Sequence, residues 1–550
     1  MKFFRILIIT VTLACFSSGS SSVFAQAEKT LDPAEMQALK NQSMGMYSDF
    51  FNNAFYGRLA QWFYLDRAFN KLTRRKTPAH NVNVFDEVPD STFFVNRIGK
   101  KPMSAEEIIS ATKVNDGPET KGPWVITKGK VDGINPGFFI RDAKGVEFLI
   151  KFDPTGYNEL SSGAEAVASR IFYGLGFNVP QYSIVYFDPS ILTVSDTATY
   201  YNQDGFKKSL MMEDVKRLLK NVDKVSGGLI RASASAKLEG DIKGVISFDD
   251  YRKNDPNDYF KHLNRREFRA LNIFGSWIND VDLRSGNTLS ALVENENQGY
   301  LNNYFIDYGS SFGSAGSRVK DDHLGYDTFV DYATVAKRIL SLGFYDRQWE
   351  KRRKDPTPLV IYESIGYFDN INFDPGQWKT ILPYYAFDDM SLADAFWAAK
   401  IIMKFTPENI RGLIEVGEYT EPKAKEYLYS VLLERQKLIG QYWFSRVTPL
   451  DDFSINASDS GAQISFNDLE VFYSLSKDAP KYRYIIKNEN QKTSQEFTSS
   501  DLEIDLNSTV TDISIEKWNP QKNKWNPPVI LTLSQVDGQL KLEKICHKDK

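Results

Sequence analysis

The sequence predicts an α+β protein with a small sheet-bearing lobe, a larger, mostly helical lobe and a C-terminal all-β module. Three observations carry this. From about residue 120 apolar residues alternate as in strands. From 260 to 450 they recur at helical spacing, and from 451 short alternating segments are divided by Asn, Ser and Gly turns. The 550 residues exceed one average domain of ~150 residues several-fold. With 42% hydrophobic and 25% charged residues the composition is globular. The net charge of -4 is spread without long runs of one sign, so the basic excess of a polyanion binder is lacking and nucleic acid is not an expected partner.

Residues 1–27 read as a signal peptide. Lys2 and Arg5 precede the apolar run Ile6 to Phe16, and small residues at Ala25 and Ala27 offer cleavage sites. That run is too short to span a bilayer, which takes ~20 residues, and no later stretch is long and apolar enough. The expectation is an exported protein, periplasmic or secreted, without a transmembrane segment; lipid attachment at Cys15 is the alternative. The only other cysteine is Cys546, so cleavage leaves no intramolecular disulfide and no thiolate metal site. The four histidines are scattered without metal-ligand spacing, and no G-x-S-x-G elbow is present.

Residues 28–119 read as a helical and irregular extension, with Tyr56 to Leu72 apolar at helical spacing. Residues 120–250 form the sheet lobe. Trp124-Val125-Ile126 leads into a loop with Gly129, Gly133 and Gly137, which allows close backbone approach to an anion or simply makes a hairpin. In the strand from Val146 to Phe152, Phe148, Ile150 and Phe152 share one face, leaving Leu149 and Lys151 on the other. A helix capped by Ser161 or Ser162 follows and stops at Gly174 to Gly176, and Tyr182 to Phe187 is the next strand. Residues 251–450 form the helical lobe, with helices from His262 to Trp277, Leu392 to Phe405 and Ala424 to Phe444. Residues 451–550 read as a β-sandwich-like module. Its Tyr473, Trp518 and Trp525 read as packing residues, with an envelope or carbohydrate contact as the alternative.

Five positions stand out for chemistry. A lone strand lysine such as Lys151 is ordinarily a solvated charge, but Glu165 lies 14 residues on, within reach of it from the following helix. Asn287 lies five residues after Asp282, in a loop that follows a helix. The apolar strand Tyr304-Phe305-Ile306 ends in Asp307-Tyr308-Gly309. D-x-x-x-x-N and D-[FY]-G are each common by chance; Lys, Glu, D-x-x-x-x-N and D-Y-G in this order, each on a suitable element, are not.

This series resembles the atypical kinase-like superfamily, especially the HipA-like kinases of bacteria and the phosphoinositide lipid kinases. Gly163-Ala164-Glu165, followed 11 residues later by Gly176-Phe177-Asn178-Val179-Pro180, is similar to the N-E…G-L-x-V segment of HipA-like proteins. The resemblance covers roughly residues 120 to 320. Asp255-Pro256-Asn257-Asp258, Arg265-Arg266-Glu267 and Phe396-Trp397-Ala398-Ala399 look like an exported bacterial branch.

The resemblance implies a bilobal protein-kinase-like fold that binds ATP and Mg²⁺ between its lobes. Lys151, held by Glu165, and the 129–137 loop would contact the phosphates, while Asn287 and Asp307 would hold Mg²⁺. Asp282 would orient the attacking hydroxyl of a protein or small-molecule acceptor. Asp280 is the second candidate base. Arg284 would either stand beside the transferred phosphate or pair with Asp280. Val281 departs from the His that many kinases carry before the catalytic Asp, and no compact G-x-G-x-x-G is present. Export fits poorly with ATP, so nucleotidyl transfer and a non-catalytic envelope binding protein stay open as alternatives.

Overall fold

The computed structural model describes residues 29–43, 46–57, 76–130, 136–201, 206–371, 373–458, 461–488, 491–504, 510–536 and 539–549. The expected signal peptide, most of the Tyr56–Leu72 stretch and Gly133 lie outside them. The chain is α+β, and its largest sheet has seven strands: β1 (Trp124–Gly129), β2 (Gly137–Arg141), β3 (Glu147–Phe152), β4 (Tyr182–Phe187), β5 (Leu192–Tyr201), β6 (Lys207–Ser209) and β7 (Ile230–Ala236). They lie in the order β4-β7-β3-β2-β1-β5-β6, antiparallel except for β1 beside β5. Alternation divides the two faces. Trp124, Ile126, Phe138, Ile140, Phe148, Ile150 and Phe152 fill one apolar core with Val215 of the helix Met212–Leu219. The opposite face carries Lys151 and Ser233, a register pair, and receives α1 (Leu160–Leu175).

The capping expected of α1 is corrected. Ser161 and Ser162 lie inside its first turn, and the N-cap Glu159 is in the left-handed region with no side-chain cap. Asp153, just past β3, does the capping. Its buried carboxylate accepts the backbone N–H groups of Glu159, Ser161 and Ser162 at 2.7–3.0 Å, which ties the helix start to the end of the lysine strand. The helix ends as expected, with Gly176 at φ 127°.

The following region is less purely helical than expected. Strands β8 (Asp241–Gly244), β9 (Thr288–Asn295) and β10 (Gln298–Phe305) form a three-stranded sheet beside α2 (Arg266–Ile278). Helices α3 (Leu392–Met403), α4 (Pro407–Glu415) and α5 (Pro422–Phe444) complete a second core with α1 and α2. Every residue of α3 from Ala393 to Met403 is buried, which makes it the central helix. Its Asp394 takes Arg266 at 3.0 Å and Arg269 at 3.1 Å, both from α2, and Arg266 also pairs with Asp86 at 2.8 Å. These buried pairs fix α2, whose C-terminal end delivers the loop 279–287.

Between Leu450 and His547, nine strands among the described residues make a three-stranded and a six-stranded sheet around a third core. That segment meets the rest through His547, 2.7 Å from Asp86, and Asp451, 3.2 Å from Lys400 of α3. Trp518 and Trp525 pack edge to face at 5.3 Å with the Arg483 guanidinium 4.5 Å from the Trp525 ring, and Tyr473 packs on the helical core. No helix among the described residues is long and apolar enough to cross a membrane.

Candidate active site

Lys151 points from β3 into the space between the seven-stranded sheet and the loop after α2. The residue is 5% exposed, and its amine donates to Glu165 Oε1 on α1 and to Asp307 Oδ1 at 3.0 Å, 156 positions along the chain. The 14-residue spacing thus makes the contact expected of it. Glu165 is 1% exposed and also accepts the Ser233 hydroxyl. Burial alone would lower the Lys151 amine, but the carboxylates of Asp307 and Glu165 more than offset it and hold its pKa above the ordinary lysine value.

Asp307 follows β10 with φ 62°, a left-handed conformation that Asp tolerates better than most residues. Its backbone N–H donates to the Tyr182 hydroxyl at 3.0 Å, and Tyr308 packs beneath it on Phe172 of α1, ring centroids 5.1 Å apart. Glu165 and Phe172, seven positions apart, share one face of α1, so the same helix face holds the lysine and the turn bearing Asp307. The Asp307 side chain is 36% exposed. Burial would raise it, yet the charges of Lys151, Lys130 and Arg284 bring it below the ordinary aspartate value.

The D-x-x-x-x-N loop begins where α2 stops at Asn279, whose φ of 52° ends the helix. The Asn279 amide donates to the Phe312 carbonyl at 3.1 Å and its Oδ1 accepts from Trp378 at 2.8 Å. Asn287 donates to the Asp282 carbonyl at 2.8 Å and to its Oδ2 at 3.0 Å, so the five-residue spacing closes a ring of the loop on itself. Both partners are acceptors, which leaves Oδ1 of Asn287 as the atom on the other side of the amide. The Asn287 carbonyl accepts from Ile306 N at 3.0 Å, which places this loop beside Asp307.

Arg284 pairs with Asp282, not Asp280, through Nε at 3.0 Å. Burial raises the Asp282 carboxyl, Arg284 opposes this, and the like charge of Asp307 adds to it. Asp280 is 2% exposed, and burial pushes it up to about 7. Lys320, near it, is pushed down to about 7 by burial, but its amine donates to the carbonyls of Asn279, Ser310 and Phe312. Three such acceptors call for the ammonium form, which keeps Asp280 as its counter-charge. Gly129 closes β1 in register with Phe138 of the apolar face, and Gly137 opens β2 in register with Lys151.

Sequence reasoning missed four groups. Tyr182 and Ser233 hold Asp307 and Glu165, Lys320 pins the loop, and Asp49 lies buried beneath it. The Tyr384 hydroxyl donates to Asp49 at 3.1 Å and accepts from Ser285 N at 3.2 Å. A 335-residue separation gives such a contact no local signal.

A cation fits what is here. The like charges of Asp282 and Asp307 act on each other, with the Asn287 amide bonded to Asp282, and a divalent ion would relieve that repulsion. Among the described residues no group of three or more His, Cys, Asp and Glu side chains is placed to hold a metal. The ion would therefore need further ligands, as Mg²⁺ does when it keeps waters and phosphate oxygens.

No family model and no curated protein matches the sequence. Among solved structures, the chain is similar to the Helicobacter pylori proinflammatory kinase CtkA, with 14% identity and a TM-score of 0.31 over 58% of this chain and 98% of that one. It is also similar to the Golgi casein kinase with Mn and ADP bound, at 12% and 0.26 over 54% and 76%. A second structure of the Golgi casein kinase gives 11% and 0.25 over 62% and 78%. Likeness of this size fixes neither fold nor function for this chain.

Proposed function

We propose that the chain is an exported kinase-like phosphotransferase that moves the γ-phosphoryl of ATP to a hydroxyl acceptor, with the sheet lobe at 120–250, the helical lobe at 251–450 and the β module at 451–550. One observation carries the reading. The Lys151 amine bridges Glu165 and Asp307, and the Asp282–Asn287 ring lies beside Asp307, tied there by the Ile306 N–H to the Asn287 carbonyl. A structural ion pair needs no second acid and amide beside it, whereas a triphosphate with its divalent ion needs such a set.

Lys151, kept charged by its two carboxylates, would contact the phosphates. Asn287 Oδ1 and Asp307 would hold Mg²⁺, which when bound supplies positive charge to the phosphoryl oxygens. Asp282 is the more exposed of the two candidate bases, 29% against a fully enclosed Asp280, and so is the one able to meet an acceptor hydroxyl. Arg284, anchored on Asp282, would place a guanidinium beside the transferred group. Catalysis would come from positioning and electrostatics.

The test is a thermal melt with Mg²⁺ and ATP. Binding to the folded state should raise the melting temperature, and Asp307→Ala should abolish the rise. A wild-type melt unmoved by saturating ATP and Mg²⁺ would sink the reading.

A further inference from the structure

The face of the seven-stranded sheet that carries Lys151 also carries Lys128 and Lys130, which the D-x-x-x-x-N and D-Y-G motifs do not mark. After a bulge in β1, Lys128 pairs with Phe139 and Gly129 with Phe138. The next residue, Lys130, donates its backbone N–H to the Gly137 carbonyl at 3.2 Å, and Gly137 in turn is the register partner of Lys151. Lys130, Gly137 and Lys151 therefore lie in one row across three strands.

Alternation puts both lysines on one face. Lys128 stands over the Phe139 ring, 5.9 Å from its centroid, so Lys130, two residues on, shares the face of Phe139 and Gly137, and that is the face of Leu149 and Lys151. Two strand spacings separate the lysines, about 9–10 Å. The position between them admits no side chain, because a Cβ at Gly137 would lie 2.2 Å from the Ile150 carbonyl oxygen. Lys130 is half-buried, and its charge reaches Asp307 along with those of Lys151 and Arg284.

We propose that Lys130 and Lys151 form a two-lysine seat for a polyphosphate chain, kept open by the bare row at Gly137. This rests on the nucleotide reading and deepens it: the second lysine makes the site one for a nucleoside triphosphate, with Lys130 gripping phosphate from the loop side as Lys151 does from the sheet floor. An ammonium is suited to this, since its four-carbon stem spans the gap and its three donors adapt to phosphate oxygens.

The test is calorimetric titration of the full chain with ATP in excess Mg²⁺, comparing wild type, Lys130→Ala and Lys130→Arg, with equal melting temperatures as the check on folding. Loss of one hydrogen bond to a charged phosphate predicts about tenfold or greater weakening for Lys130→Ala, while Lys130→Arg, which keeps the charge, stays near wild type. Equal affinity of wild type and Lys130→Ala would overturn the second lysine and leave the nucleotide reading standing. Equal loss in Ala and Arg variants would overturn it too, since charge would not be the cause. A wild-type chain that binds no ATP would overturn both.

Discussion

Replacing Lys151 by methionine keeps an apolar stem in the sheet and removes the charge. It leaves the Glu165 carboxyl buried, with the Ser233 hydroxyl as its donor. Removing one partner of a buried ion pair costs about 3–5 kcal/mol. Glu165→Gln is milder, because Lys151 keeps Asp307 at 3.0 Å; its cost is that of one charged hydrogen bond, about 1.5–3 kcal/mol. The two losses do not add. Lys151→Met/Glu165→Gln has no uncompensated charge at 165, so its loss should fall short of the sum of the two single losses, by a coupling of roughly 1–3 kcal/mol.

The deficit should also depend on pH. Burial holds Glu165 above the ordinary glutamate value of 4.5, and Lys151 opposes it. Without the amine the carboxyl rises further. The folded state then keeps a proton that the unfolded chain has released, so Lys151→Met loses stability relative to wild type as pH rises from about 5 to 7. One proton accounts for at most about 1.4 kcal/mol per pH unit. Urea unfolding followed by tryptophan fluorescence reads this, since Trp124 is buried in the same sheet. A Lys151→Met protein as stable as wild type, or equally destabilised at pH 5 and pH 7, would show that the amine does not neutralise Glu165.

Asp282→Asn should lower transfer by about 10²–10⁴-fold while ATP binding persists, the usual range for removing a general base. Asp280→Asn should instead leave Lys320 without its counter-charge, lowering the melting temperature and keeping transfer; the opposite pattern in kinetic and melting assays would exchange the two roles. Because burial holds Asp282 above the ordinary aspartate value of 3.8, the acid limb of kcat/KM should lie above that pH and vanish in Asp282→Asn.

What the sequence made legible was local. The strand bearing Lys151, the reach to Glu165, the ring from Asp282 to Asn287 and the turn at Asp307 each follow from spacing within one or two elements. Where tertiary partners decide, spacing failed. Ser161 and Ser162 have the chemistry of caps, but Asp153 is better placed once β3 and α1 pack. Arg284 had two acids within reach in the chain, and only the closed loop selects Asp282. Asp49 and Lys320 come from segments far from the loop they hold, so no periodicity announces them. Lys130 was visible as a residue, but its face depended on a bulge in β1 that apolar alternation does not reveal.

Incubation of the chain with Mg²⁺, cell extract as acceptor source, and γ- or α-labelled ATP in parallel tests phosphoryl transfer at this site most directly. The prediction is acid-stable label from the γ position only, lost in Asp282→Asn. Label from the α position, or none from either, would contradict it.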